Sequence, residues 1–173
     1  MSRKPLLPPS YFIRKAKKYG AKEAKIVSPK KVFTAEWVRL KCHYGCDGYG
    51  QHLTCPPFSP APQETRMVLN EYTTALLIHC PSRWTDISTI VSALERDAFL
   101  SGYYKAFGMS SGPCSLCDEC SIEEGCRHPE GARPSMEACG IDVYKTARTA
   151  GYPIEVVRDS HSPQNYYGLL LLR

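Results

Sequence analysis

Four cysteines crowd into thirteen residues, Cys114-Ser115-Leu116-Cys117-Asp118-Glu119-Cys120 and then Cys126, in the spacing C-x2-C-x2-C-x5-C. The stretch is too poor in apolar residues to pack a core of its own, so a bound metal group is expected to close it. Three thiolates set three residues apart wrap one corner of a cubane, and a fourth a few residues later reaches the remaining iron. A tetrahedral zinc ion usually draws two separated ligand pairs onto one point, which overlapping C-x2-C pairs fit poorly. Cys114, Cys117, Cys120 and Cys126 therefore read as the ligands of a 4Fe-4S cluster, with zinc as the alternative. The last interval is five residues rather than the three of bacterial ferredoxin runs, and Pro129 comes only at the third position after Cys126.

A second group precedes this one. Cys42, Cys46 and Cys55 are spaced C-x3-C-x8-C in a stretch that contains Gly45, Gly48 and Gly50 and ends in Cys55-Pro56-Pro57. Glycine lets the backbone approach a bound object closely, and the clustering of three thiols makes them candidate metal ligands; the rival reading is buried thiols in a turn-rich loop. The long third interval and the short chain argue against radical-SAM chemistry. No fourth ligand is evident. His43, His52, Cys80 and Cys139 are the candidates, and an iron left open to a small ligand is the other option. A lone loop histidine is more often a hydrogen-bonding group, and a cysteine such as Cys80 at a strand end more often a small core residue.

A chain of 173 residues can bury one respectable core, so a single domain spanning 1–173 is expected. Apolar content of 43% is ordinary, and no apolar run approaches the length of a membrane span. Nine cysteines, an odd number in metal-loop spacing, suit a reducing interior better than a disulfide scaffold, and the cytoplasm is the expected location. The formal charge of +5 would shrink on metal binding, because a 4Fe-4S core with its four cysteinates carries about −2. From Met1 to Lys41 there are twelve Lys or Arg against Glu23 and Glu36. That basic run reads first as a solvated face, and next as a docking surface for an acidic protein redox partner. Nucleic acid is disfavoured, since no recognition module accompanies the charge.

Periodicity places a short basic helix at about 10–20, strands at Ala24–Val27 and Val32–Leu40, and a helix from Pro62 to Tyr72. Thr34-Ala35-Glu36 could equally begin a helical turn. Thr73–His79 reads as a buried strand, and Ile87, Ile90, Val91, Leu94 and Ala98 mark the clearest helix, Asp86–Ser101. Tyr103–Met109 follows as a strand, so a right-handed crossover between parallel strands is expected. A helix capped by Asp142 runs to Ala150, and Ile154–Val157 with Tyr167–Leu172 would close the chain as an antiparallel hairpin. The fold class expected is α/β, or α+β mixed: a mixed sheet with flanking helices and two cysteine-rich metal loops. The four-cysteine loop would then leave a strand end, with His128 and Arg133 folding back beside it as candidate cofactor-binding residues. Arg133 could donate hydrogen bonds to cluster sulfides.

The set Lys41-Cys42 with Tyr44-Gly45-Cys46, Tyr49-Gly50, Cys55-Pro56-Pro57, Thr65-Arg66, the C-x-L-C-x-x-C loop, Cys126-Arg127-His128-Pro129 and Arg133-Pro134-Ser135-Met136-Glu137-Ala138 resembles a prokaryotic family of unknown function. Its members are described as predicted metal-binding proteins, common in anaerobic bacteria and archaea. The resemblance runs from about Ala24 to Leu172. It implies metal, in the form of iron-sulfur, at Cys114, Cys117, Cys120 and Cys126, with Cys42, Cys46 and Cys55 as a second group, and it implies no reaction.

Three functions follow as expectations. The favoured one is an iron-sulfur protein, with one 4Fe-4S cluster and room for a second, that transfers electrons or serves a partner enzyme as redox accessory. The alternative is an enzyme using an open iron at the Cys42/Cys46/Cys55 loop as Lewis acid. The third is a zinc-binding structural or metal-delivery protein. Neither a nucleophile elbow nor a Walker loop is present, so hydrolase and kinase readings lack motif support.

Overall fold

The computed structural model describes residues 6–81 and 86–173. Arg3 and Lys4 of the basic run lie outside the described residues. Five α-helices and four strands follow one another as α1 (Pro9–Lys18), β1 (Glu23–Val27), α2 (Glu36–Gly45), α3 (Pro62–Asn70), β2 (Ala75–Cys80), α4 (Ile87–Leu100), β3 (Phe107–Met109), α5 (Val143–Thr149) and β4 (Tyr166–Leu171). A single 3-10 turn, Pro29–Lys31, joins β1 to the segment before α2.

Asp86 starts α4 by accepting from the Thr89 amide at 3.1 Å, and Asp142 starts α5 by accepting from the Lys145 amide at 2.9 Å. Each satisfies a donor that the first helical turn leaves without a partner. The five apolar positions read as the inner face of α4 are all buried.

The sheet has the order β1-β2-β4-β3, and every neighbouring pair is antiparallel. This corrects the mixed sheet expected from the sequence. β2 and β3 do run the same way, since each is antiparallel to β4, but they do not touch. The C-terminal strand slots between them, Ala75 facing Leu171 on one side and Phe107 facing the same Leu171 on the other. The strand-helix-strand unit is therefore split, and the mixed character disappears with the missing parallel pair.

One further expectation changes. Ile154–Val157 is not a strand, so the terminal hairpin does not form. The Ile154 carbonyl is taken by the Arg148 guanidinium at 3.0 and 3.2 Å, the Pro153 carbonyl accepts from the Tyr167 hydroxyl, and Val156 and Val157 face solvent. Of the two readings of Val32–Leu40 the helical one holds, since α2 begins at Glu36 after extended Ala35, where the turn at Thr34-Ala35-Glu36 was expected.

Both faces of the sheet are covered, which is why all six residues of β2 are buried. On one face Leu76, Ile78, Cys80 and Leu170 pack with Phe12 and Ala16 of α1 and the inner row of α4. On the other, Ala75, Leu77, Met109, Leu169 and Leu171 pack with Leu69 of α3, Val143 and Ala147 of α5, and the segment Met136–Ile141. Phe12 is fully buried, a placement that contributes about 1.5–3 kcal/mol by transfer alone. The two cysteine loops are excursions from this frame, outside its helices and strands except for Cys42 in α2.

Candidate metal centre

The four-cysteine loop is pinched at its neck. Just past β3, the Ser110 amide donates to the Pro134 carbonyl at 2.8 Å and the Ser110 carbonyl accepts from the Met136 amide at 2.9 Å. Residues 111–134 therefore leave and return at one point. Arg133 fixes that point to α4 through a two-pronged pair with Glu95, Nε to Oε2 and Nη2 to Oε1, both at 2.6 Å. Glu95 Oε2 also accepts from the Gly108 amide at 2.7 Å, so one carboxylate ties the helix, the strand and the loop base together. The remaining Arg133 donor serves the Pro129 and Ala132 carbonyls. The guanidinium is thus occupied by protein, and its hydrogen bonds to Glu95 hold it above the ordinary arginine range, with Cys126 a lesser contributor.

Within the loop, Cys114, Cys117, Cys120 and Cys126 all line one small cavity of about 20 Å³, together with His52, Leu53, Thr54 and His128. The structure thus brings together the four cysteines that the spacing singled out, and seats the tip of the first cysteine loop over them. The Leu53 amide donates to Cys120 Sγ at 3.5 Å. His128 is exposed, with Nδ1 3.7 Å from Glu130 Oε1.

The first group is built on the end of α2. Cys42 lies in the last turns of the helix, Cys46 caps it, and Cys55 is buried beyond the turn. Gly48 lies beside both of the last two: a Cβ placed there would stand 3.5 Å from Cys55 Sγ and 3.6 Å from Cys46 Sγ, in ordinary contact with each. Cys42 Sγ rests 4.0 Å from the Glu137 carbonyl oxygen. Arg39 anchors the helix by donating to the Pro60 carbonyl at 2.5 Å, and Ser59 Oγ donates to the Ala138 carbonyl at 2.6 Å.

Burial pushes the Cys55 thiol up to about 11, with the neighbouring Cys46 adding to the effect and Cys42 and Cys114 contributing less. Burial also raises Cys42, again with Cys46 behind it. These thiols are neutral in the protein as it stands, so a metal that binds them must displace protons. The Leu53 amide on Cys120 Sγ makes the two groups neighbours.

The candidate fourth ligands sit as follows. His43 is packed between Tyr44 and Tyr49, with ring centroids 4.4 Å from each. Cys80 is fully buried on the α1/α4 face of the sheet, and Cys139 is fully buried on the other, its thiol pushed up to about 12 by burial. His52 borders the four-cysteine cavity. All nine cysteines are free. Among the described residues no three His, Cys, Asp or Glu side chains converge closely enough to hold a single metal ion. A cubane carries its irons on separate corners, so it asks for thiolates set wider apart around a common space. The all-thiol donor sets suit such a group in chemistry; the cavity that four of them line, at about 20 Å³, holds little more than a water, so the loop would open around the cluster as it binds.

Beside the first group the structure opens a cavity of about 590 Å³ that the sequence did not announce. Its wall includes Cys42, Cys46 and Cys55 at one part, and Tyr144, Ile154, Tyr166 and Tyr167 at another. Glu137 also lines it. Its Oε2 is closed off from solvent and has no hydrogen-bond partner among the described residues, and burial pushes the carboxyl up. A lone carboxylate in the run Met136-Glu137-Ala138-Cys139 is the one signal that could have drawn attention to it.

Residues 25–172 match the model of a family described as predicted metal-binding protein (DUF2284). The chain belongs to that family. The match covers both cysteine groups and all four strands but for the first two residues of β1. It agrees with the resemblance drawn from the motifs. Neither the curated proteins nor the solved structures contain a match. No helix among the described residues is long and apolar enough to cross a membrane.

Proposed function

We propose that this member of the family is an iron-sulfur redox protein with two adjacent sites. A 4Fe-4S cluster would be held by Cys114, Cys117, Cys120 and Cys126, and a second by Cys42, Cys46 and Cys55. One observation carries the reading: the two thiol groups are contiguous, with the tip of the first cysteine loop lining the four-cysteine cavity and the Leu53 amide on Cys120. Two separate structural ions have no need of such contact, whereas an electron passing between clusters does. When bound, the clusters supply one-electron chemistry. The chain's own part is to seat them, to exclude water behind buried Cys55 and to set their surroundings through the Leu53 amide and the charge of Arg133.

Electrons would leave at the exposed side of the four-cysteine loop, where Leu116 and Cys117 border an outer groove with Asp118 and Glu119. Arg127 and His128 line the same groove, so its charge is mixed. The exposed Arg14, Lys17 and Lys18 on α1 offer a separate face for an acidic partner. Free thiols on every cysteine suit a reducing cytoplasm.

The large cavity favours a second reading, in which the metal at Cys42, Cys46 and Cys55 keeps one position open to a small molecule. The test of the first reading is iron and acid-labile sulfide counting with EPR on anaerobically purified protein. About eight irons per chain are expected. Stoichiometric zinc without sulfide would overturn it.

A further inference from the structure

Two features stand outside the cysteine sites, the buried His79 and Tyr152 with atoms lacking partners and the exposed apolar row Trp37, Leu40 and Tyr44 on α2, and a third, the cavity between α2 and β4, extends away from the first cysteine group. The cavity carries an argument furthest. At about 590 Å³ it has the size of a small-molecule site, commonly 300–1,000 Å³. It also has the composition of one, a mainly apolar wall with few polar groups. A compact metal group bonded to Cys42, Cys46 and Cys55 can fill only the part that those thiols border. The remainder is walled by Val143 and Tyr144 of α5, Ile154 and Tyr167, which belong to the core between α5 and the sheet, and by Tyr166 of β4, which packs toward the α1/α4 face. Tyr167 is pinned by its hydrogen bond to the Pro153 carbonyl, and Tyr166 donates to the Gln164 side chain at 3.1 Å. These rings are therefore held in place around open space. A pre-formed space of this kind costs little to fill.

We propose that this cavity binds an organic molecule with an aryl or alkyl body and one small polar head, the body lying along the Tyr144, Ile154 and Tyr167 wall and the head directed to the three-cysteine group. The class follows from the two ends. One offers contact area and rings for an apolar body, and the other offers a metal-ligating centre and the Glu137 side chain for a head that is a thiol, amine or hydroxyl. The position of the head rests on the reading of Cys42, Cys46 and Cys55 as metal ligands; the position of the body rests on the cavity alone.

Three probes separate these parts: 2-phenylethanethiol, 2-mercaptoethanol, which has the thiol without the apolar body, and 2-phenylethanol, which has the body without sulfur. Binding to anaerobically purified protein is measured by equilibrium dialysis, with iron content followed in parallel. We expect one equivalent of 2-phenylethanol to bind, and 2-phenylethanethiol to bind at least about tenfold more tightly than 2-mercaptoethanol, since burial of the phenyl group alone is worth that factor. Ile154→Trp fills the cavity from its buried wall, and Gln164→Trp fills it from the loop, giving up only the bond to the Tyr166 hydroxyl. Both should weaken 2-phenylethanol about tenfold or more with iron content retained. Failure of 2-phenylethanol to bind, or binding that neither tryptophan weakens, overturns the proposal. Wild-type iron in Cys42→Ala overturns the metal reading instead, and 2-phenylethanol binding then continues unchanged.

Discussion

A single carboxylate decides whether the four-cysteine loop has a base. Glu95 meets two prongs of Arg133 at 2.6 Å and the Gly108 amide at 2.7 Å, and both charged side chains are about 15% exposed or less. Removing one partner strands the other in a poorly solvated place. Glu95→Ala should therefore cost about 3 kcal/mol in urea unfolding, near the lower end for a broken buried pair. Arg133→Lys keeps the charge but loses the fork, so it should recover part of the loss and no more. An unchanged midpoint in both variants would show the neck to be held by the Ser110 backbone bonds alone. The sequence pointed to Arg133 as a donor to sulfides. It could not show Glu95, thirty-eight residues away in sequence, as the acceptor of its fork. The cysteine spacing was legible because metal loops are local, whereas a pair across the fold leaves no local pattern.

At the scale of elements, α4 reaches the sheet through missing side chains. A Cβ on Gly168 would stand 2.7 Å from Val91 Cγ2 and 2.9 Å from Ile87 Cγ2, and Gly108 leaves the same room for Val91 on β3. Gly168→Ala should destabilise by about 1–3 kcal/mol through overpacking, and Val91→Ala in the same chain should return part of it. Additive losses in the double variant would count against close packing as the cause. α1 is joined to α4 differently, by Lys15 3.2 Å from Asp97 and the Tyr19 hydroxyl donating to Asp97 at 2.7 Å. The hydrogen bond to Asp97 lifts Lys15 above the ordinary lysine range, and the same acceptor lifts Tyr19. A raised folded-state pKa means that the contribution is complete below the unfolded value, near 10.5 for Lys15, and is lost as pH climbs through the folded one. The melting difference between wild type and Asp97→Asn should therefore be flat from pH 7 to about 9 and begin to narrow only above the unfolded lysine value near 10.5. A gap that narrows already between pH 7 and 9 would assign it to other groups. α4 was legible because its buried row repeats at helical spacing. α2 was hard to read because Trp37, Val38 and Leu40 together look like core residues, yet only Val38 is buried and Trp37 and Leu40 are exposed. Ile154–Val157 misled because an apolar run resembles a strand whether or not an edge is free to receive it.

For the molecule as a whole, the order of the strands was hidden from any local reading, since β4 enters the sheet between β2 and β3 from nearly sixty residues beyond β3. That placement has a consequence for the metal. The central strands β2 and β4 pair over six residues and carry an apolar cover on each face, with Leu76, Leu77, Ile78, Leu169, Leu170 and Leu171 fully buried, and none of that cover comes from the two cysteine loops apart from the return segment Met136–Ile141. In small metal domains the ion supplies the folding energy, and removing it unfolds the chain. Here the frame buries its own core, so the loops and the frame should part company when metal is taken away. Chelation under reducing, anaerobic conditions is expected to leave the far-UV circular dichroism nearly unchanged. Hydrogen exchange should then divide the chain: amides of β2 and β4 stay protected, while residues 46–55 and 111–134 exchange markedly faster. The Ser110 amide, bonded to the Pro134 carbonyl at the neck, should lie between the two groups. Equal loss of protection in β4 and in the loops would mean that the metal holds the sheet as well, and that the frame does not fold without its loops.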